Sequence, residues 1–163
     1  MKRVVILGRG GSGKSILASK LAEITGLPVI ELDKIFWQPG LRALHLDEWA
    51  NLQRTLIAQD SWIMDGDLGQ CDVVEVRLRA ADTIIVLDFA LLRCAWRALR
   101  RGRERSDFWR WLIAYRHRSL PVLMQAVSRT APQAELHLIR NPKELQQFLA
   151  KLELKRRKAE LSS

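Results

Sequence analysis

Wholly apolar runs of four or five residues recur along the chain, separated by segments in which apolar positions return every three or four residues. Val4-Val5-Ile6-Leu7 is the first run, β-branched at three positions and closed by Gly8, as expected of a strand buried on both faces. Leu17, Leu21 and Ile24 follow at helical spacing, and Gly26 with Pro28 supplies the stop. Val29-Ile30-Glu31-Leu32 predicts a second strand that ends at Asp33, and Pro39-Gly40 marks a turn in the loop beyond it. Asp47 is placed to cap a helix that carries Trp49, Leu52 and Leu56 as far as about Gln59. Ser61-Trp62-Ile63-Met64 predicts a third strand, ending at Asp65-Gly66, and a short segment leads on to Ala81. Thr83-Ile84-Ile85-Val86-Leu87 is the strongest strand signal and ends at Asp88. A long helical stretch interrupted near Gly102 then leads to a fifth strand at Leu136-His137-Leu138-Ile139. Asn141-Pro142-Lys143-Glu144 joins an N-cap residue, a proline at the first helical position and a capping-box glutamate, so a last helix begins there with Leu145, Phe148, Leu149 and Leu152 facing inward.

Apolar strands alternating with helices predict an α/β fold, a three-layer α/β/α arrangement around a five-stranded parallel sheet joined by right-handed crossovers. In such a sheet the site lies beyond the carboxyl ends of the strands, where Gly8, Asp33, Asp65 and Asp88 all fall. The length of 163 residues suits one domain. Apolar residues at 48% and charged residues at 28% are ordinary globular usage, which excludes a disordered, collagen-like or disulfide-scaffold chain. Cys71 and Cys94 form no CxxC pair and fit a reducing compartment. The first apolar run is too short for a signal peptide, and the stretch from Thr83 to Leu92 contains Asp88 and is half the length of a membrane span, so a cytoplasmic protein without a membrane segment is expected. Lysine and arginine total 27 against 18 aspartate and glutamate, and the net charge of +9 favours an anionic partner such as a nucleotide, a nucleic acid or a phosphorylated metabolite.

Gly8-Arg9-Gly10-Gly11-Ser12-Gly13-Lys14-Ser15 narrows that choice, because it matches GxxxxGK[ST] between a predicted strand and a predicted helix, the context of a phosphate-binding loop. Glycines let backbone amides turn inward around a phosphate, and the helix amino terminus adds partial positive charge. Gly8, Gly10, Gly11, Ser12, Gly13, Lys14, Ser15 and Ile16 are therefore the expected nucleotide contacts, with Lys14 on the β- and γ-phosphates of ATP and Ser15 on Mg²⁺. Asp65 and Asp88 each end an apolar strand, and either could complete the metal shell; Asp67 and Asp72 lie farther past the strand end.

In these segments the chain resembles P-loop kinases of the adenylate kinase type, and more closely the adenylate kinase-related DNA topology modulation proteins (FlaR). The likeness is carried by Ile6 to Ser15, Leu32-Asp33-Lys34-Ile35-Phe36-Trp37-Gln38-Pro39-Gly40, Ser61 to Gly66, Ala81 to Asp88, Arg97 and Arg101, Phe108 to Arg118, and Arg140-Asn141-Pro142. The resemblance implies Mg-dependent phosphoryl transfer from ATP to a small nucleotide or hydroxyl metabolite. It also implies that Arg97 and Arg101 hold ATP phosphates and that the loop with Asn141 and Pro142 lies beside the adenine. The chain departs from the kinase pattern after the third strand, where Asp67-Leu68-Gly69 replaces Phe-Pro-Arg and its phosphate-gripping arginine. Asp33 stands where kinases with hydroxyl acceptors, such as shikimate kinase, carry an aspartate that positions or deprotonates the acceptor. Catalysis is thus expected from Lys14, Asp33, Asp65, Arg97 and Arg101.

Nine arginines lie between residues 93 and 118, and the segment 101–118 reads as a short arginine-rich lid within the domain. Arg93, Arg97, Arg100 and Arg101 share one helix side and Leu92, Trp96 and Leu99 another, which reads as a phosphate clamp, a solvated face or a nucleic-acid surface. Phe36, Trp37 and Trp49 read either as core or as stacking platforms for a substrate ring. His45, His117 and His137 have no metal-ligand spacing. The competing readings are a nucleic-acid-associated nucleotide-binding protein with weak or no kinase activity, and a nucleotide binder that has lost transfer.

Overall fold

The computed structural model describes residues 1–38, 42–68, 72–102 and 106–161, without the side chains of 37, 38, 42, 43, 101, 106 and 107. The elements in chain order are β1 (Arg3–Gly8), α1 (Lys14–Thr25), β2 (Val29–Glu31), α2 (Leu32–Phe36), β3 (Trp37–Gln38), β4 (Arg42–Ala43), α3 (Leu46–Ile57), β5 (Trp62–Asp65), α4 (Glu75–Ala80), β6 (Thr83–Leu87), α5 (Leu91–Arg101), α6 (Ser106–Thr130), β7 (Glu135–Ile139) and α7 (Pro142–Glu160). The five expected strands form one parallel sheet in the order β2-β5-β1-β6-β7. The register pairs Glu31 with Asp65, Ile6 with Asp65, Gly8 with Leu87 and Leu87 with Ile139, so the strand ends form one level edge.

Side-chain alternation explains why the strands are apolar throughout. Val4 and Ile6 of β1 pack with Leu17, Ala18 and Leu21 of α1 and Leu149 of α7 on one face. Val5 and Leu7 pack on the other with Phe36, Trp49 and Leu78 from α2, α3 and α4. The 25-residue α6 serves both layers: Leu112 joins the first cluster and Leu123, Ala126 and Val127 the second, so the helix passes across the carboxyl edge of the sheet.

Several elements depart from the pattern expected. The second strand stops at Glu31 because Leu32 opens α2, which buries Leu32 and Phe36 beneath the sheet edge. A short antiparallel pair, β3 with β4, follows it; the expected Pro39-Gly40 turn lies outside the described residues. His45, not Asp47, is the N-cap of α3, and Asp47 lies in its first turn. The segment before Ala81 contains the six-residue α4. At the other end Asn141 Oδ1 accepts from Glu144 N at 3.0 Å while Glu144 Oε2 accepts from Arg140 N at 2.6 Å, a reciprocal cap like the one the sequence predicts. Among the described residues no helix is long and apolar enough to cross a membrane.

Candidate functional site

The loop between β1 and α1 is shaped for an anion. Gly13 is the N-cap of α1 at φ +97°, no side chain caps the helix, and no acidic residue lies in its first turn, so the positive end of the helix faces the loop uncompensated. Ser12 Oγ is buried without a partner. Lys14 Nζ donates to Gly8 O at 2.8 Å and Arg9 O at 3.4 Å, which lays its ammonium across the loop mouth. Arg97 reaches the same loop from α5, with Nη1 donating to Ser12 O at 3.4 Å. Ile16 is exposed on the first turn of α1.

The glycines are required by what packs on them. A Cβ at Gly11, where φ is +73°, would run into the Cys94 carbonyl oxygen of α5, and one at Gly10 would meet the Phe108 ring at 2.5 Å. α6 continues this cover: Trp111 and Tyr115 stack edge-on at 5.3 Å, and buried Arg9 lies over the Tyr115 ring at 5.5 Å. The Tyr115 hydroxyl donates to Asp67 Oδ2 at 3.1 Å, which also accepts from Gly8 N at 3.4 Å. Burial, followed by the neighbouring Asp67 carboxylate, pushes the Tyr115 phenol well above its usual range.

Facing the loop from the ends of β2 and β5 are carboxylates. Asp65 is buried, takes a hydrogen bond from Ser15 and has Oδ1 without a partner. Burial raises its carboxyl above the ordinary value despite that hydrogen bond and the charge of Lys14. Asp33, in the first turn of α2, is raised as well, by loss of water around it and by Asp65, Asp67 and Asp72, with Lys14 opposing. A Cβ on Gly66, where φ is +151°, would stand 2.8 Å from Leu32 Cβ, so the absence of a side chain there lets the ends of β2 and β5 lie close.

Behind them is a network that the sequence reading did not find. Arg77 of α4 is fully buried and donates twice to Asp72, at 2.6 and 2.8 Å, once to Gln53 Oε1 and once to Gly66 O, each at 3.1 Å. Trp49 Nε1 and Gln53 Nε2 donate to Asp72 at 3.1 and 3.3 Å. Against burial, the Arg77 charge and the hydrogen bonds from Arg77, Trp49 and the Leu68 backbone hold the Asp72 carboxyl below the usual range. Trp49 is thereby committed to the core with Phe36, at 5.2 Å, and neither ring is a stacking platform.

No protein-family model matches the sequence, and no curated protein matches it. Solved structures do. A shikimate kinase from Acinetobacter baumannii in complex with shikimate superposes with a TM-score of 0.69 at 12% identity, covering 93% of this chain and 90% of that one. A gluconokinase from Sinorhizobium meliloti 1021 gives 0.56 at 17% identity over 99% and 97% of the two chains, and a deoxyadenosine kinase from M. mycoides with bound dCTP gives 0.51 at 14% over 91% and 97%. The fold is that of the P-loop kinases.

Within this kinase fold the expected residues divide. Gly8, Lys14, Ser15, Asp33, Asp65 and Arg97 meet at the central strand ends. Asp88 lies on the same edge, its amide bonded to Ile139 O at 2.9 Å, but it faces α6, where Arg116 is 3.5 Å away, and its Oδ1 has no partner. Asn141 is on that edge too and is engaged with Glu144 in the start of α7. The Arg101 side chain, Arg103, Arg105 and Cys71 lie outside the described residues.

Proposed function

We propose that this protein is a Mg-dependent phosphotransferase that moves the γ-phosphoryl group of ATP to a hydroxyl of a small molecule. The observation that carries the reading is the convergence of Lys14 and Arg97 on one face of the loop with Asp33 and Asp65 on the other. Lys14, the amides at the start of α1 and Arg97 would neutralise phosphate charge as the bond to ADP breaks. Asp33 would accept the proton of the attacking hydroxyl as its oxygen bonds to phosphorus, and a raised carboxyl is better matched to that task than an ordinary one. Ser15 and Asp65 suit Mg²⁺: two hard oxygen ligands are already paired, and Asp65 Oδ1 is a buried acceptor with nothing to accept. The ion would supply charge neutralisation between the β- and γ-phosphates. Asp65 is preferred over Asp88 because only Asp65 is tied to Ser15. Arg101, Asn141 and Pro142 keep the roles that the resemblance implies, phosphate and adenine contacts.

The test is ADP release from Mg-ATP over a panel of nucleosides, nucleoside monophosphates and hydroxyl metabolites. Acceptor-dependent release that falls about 100-fold or more in Lys14→Ala, with circular dichroism unchanged, is the expected result. Release independent of Lys14 would refute the reading.

One observation favours a nucleic-acid-associated role instead. Trp96 is exposed on α5 with the Arg100 guanidinium stacked 4.7 Å from its ring centre, beside exposed Leu92 and Leu99. Binding of single-stranded DNA that weakens steeply with salt, at a log–log slope of about −0.7 per phosphate contact, would support it.

A further inference from the structure

Resting on the reading of the β1–α1 loop as the site of the ATP phosphates, we infer that Tyr115 of α6 is a positioning residue for Lys14: it fixes the two peptide carbonyls that seat the lysine ammonium at the loop mouth. Those carbonyls belong to Gly8 and Arg9, 2.8 and 3.4 Å from Lys14 Nζ. Each of the two residues is tied to Tyr115 by a different contact. The Gly8 amide donates to Asp67 Oδ2 at 3.4 Å, and the Tyr115 hydroxyl donates to the same oxygen at 3.1 Å. Arg9, only 2% exposed, lays its guanidinium 5.5 Å from the Tyr115 ring centre. Its Nε is buried without a hydrogen-bond partner, so the ring face is part of what offsets its charge.

The tyrosine is itself held firmly. It is fully buried, Trp111 meets its ring edge-on at 5.3 Å, and Trp111 packs in turn on Phe108, the ring that lies against Gly10. Phe108, Trp111 and Tyr115, three and four positions apart, thus form one face of α6 set against Gly8, Arg9 and Gly10. Because burial keeps the phenol protonated, its hydroxyl is a donor at any working pH. An ammonium has three N–H groups, and two spent on fixed carbonyls leave the third for a phosphate oxygen. A lysine seated in this way gives up less freedom when phosphate arrives, which strengthens binding. Loss of the hydroxyl would loosen the Gly8–Arg9 peptide and with it the seat of Lys14.

Tyr115→Phe keeps the ring and removes only the hydroxyl. Leu123→Val serves as the control, since it loosens the core contact of the same helix about two turns away. For each variant, ATP affinity is read by calorimetry with Mg²⁺, exchange of the Gly8 amide by NMR without nucleotide, and stability by a melt. Tyr115→Phe is expected to bind ATP about three- to tenfold more weakly than wild type and to exchange the Gly8 amide faster by a similar factor. Leu123→Val should melt lower with both other readings at their wild-type values. In Lys14→Ala, adding Tyr115→Phe should change ATP affinity by less than about twofold, because the tyrosine acts through the lysine. Unchanged Gly8 exchange in Tyr115→Phe, an equal loss of affinity in Leu123→Val, or an undiminished loss in the Lys14→Ala background overturns the inference. Wild-type affinity retained in Tyr115→Phe sinks this inference alone, whereas a wild-type protein that binds no ATP sinks the reading of the loop as well.

Discussion

Asp65 accepts a hydrogen bond from the Ser15 hydroxyl and keeps Oδ1 buried without a partner. Holding a charge there costs folding free energy, because burial raises the carboxyl above its unfolded value. The sign follows from linkage: the protonated form folds more favourably, so stability is fullest below the ordinary carboxylate value and is lost as pH rises through the raised one. Asp65→Asn should accordingly melt at higher temperature than wild type at neutral pH, with the difference closing as pH falls toward the ordinary carboxylate range. The same variant should lose transfer. A variant that melts lower at neutral pH than wild type, with equal activity, would return Asp65 to a structural role. Asp33 follows the same logic with a smaller stability effect, since its side chain is more open to water.

At the scale of elements, what could be read from the sequence was what local chemistry decides. The apolar runs predicted β1, β5 and β6 because both faces of a central strand are covered, and Asn141 to Glu144 predicted the start of α7 because a cap is made by residues three apart. α4 has only six residues and β3 two; such pieces hold only because the rest of the molecule packs on them, and no periodicity marks them. Arg77 escaped notice for the same reason: its meaning lies in Asp72, Gln53 and Gly66, five to 24 positions away. The loop itself was legible from its glycines, but the reason for Gly11 was not, because Cys94 lies 83 positions on along the chain. The close approach predicts that Gly11→Ala, strained at its positive φ and against a rigid carbonyl, should force α5 off the loop. Both thermal stability and ATP affinity are expected to fall, as read by a melt and by titration; a loss of affinity without a loss of stability would place the damage in the loop alone.

At the scale of the whole molecule, the described charges of the cleft separate by side. Cations and a helix amino terminus hold the β1–α1 side, and carboxylates hold the β2 and β5 ends. That division concentrates cost, since both groups of like charge are kept in place by the surrounding packing.

The path of α6 has a consequence for how the molecule opens. Because Leu112 belongs to one core, Leu123 to Val127 to the other, and Tyr115 to the bond with Asp67, each end of this stretch is held by buried side chains, while residues 116–118, 121 and 122 between them are exposed and Pro121 interrupts the amide ladder. The backbone amides of residues 112–115 and 123–127 should then exchange with deuterium only through complete unfolding, whereas those of α5, whose outer stripe of Leu92, Trp96 and Leu99 is exposed, should exchange through local fluctuation. Fast exchange across 112–115 and 123–127 would mean that this helix breathes separately from the two layers it joins. If it does not, the chain unfolds as one cooperative unit.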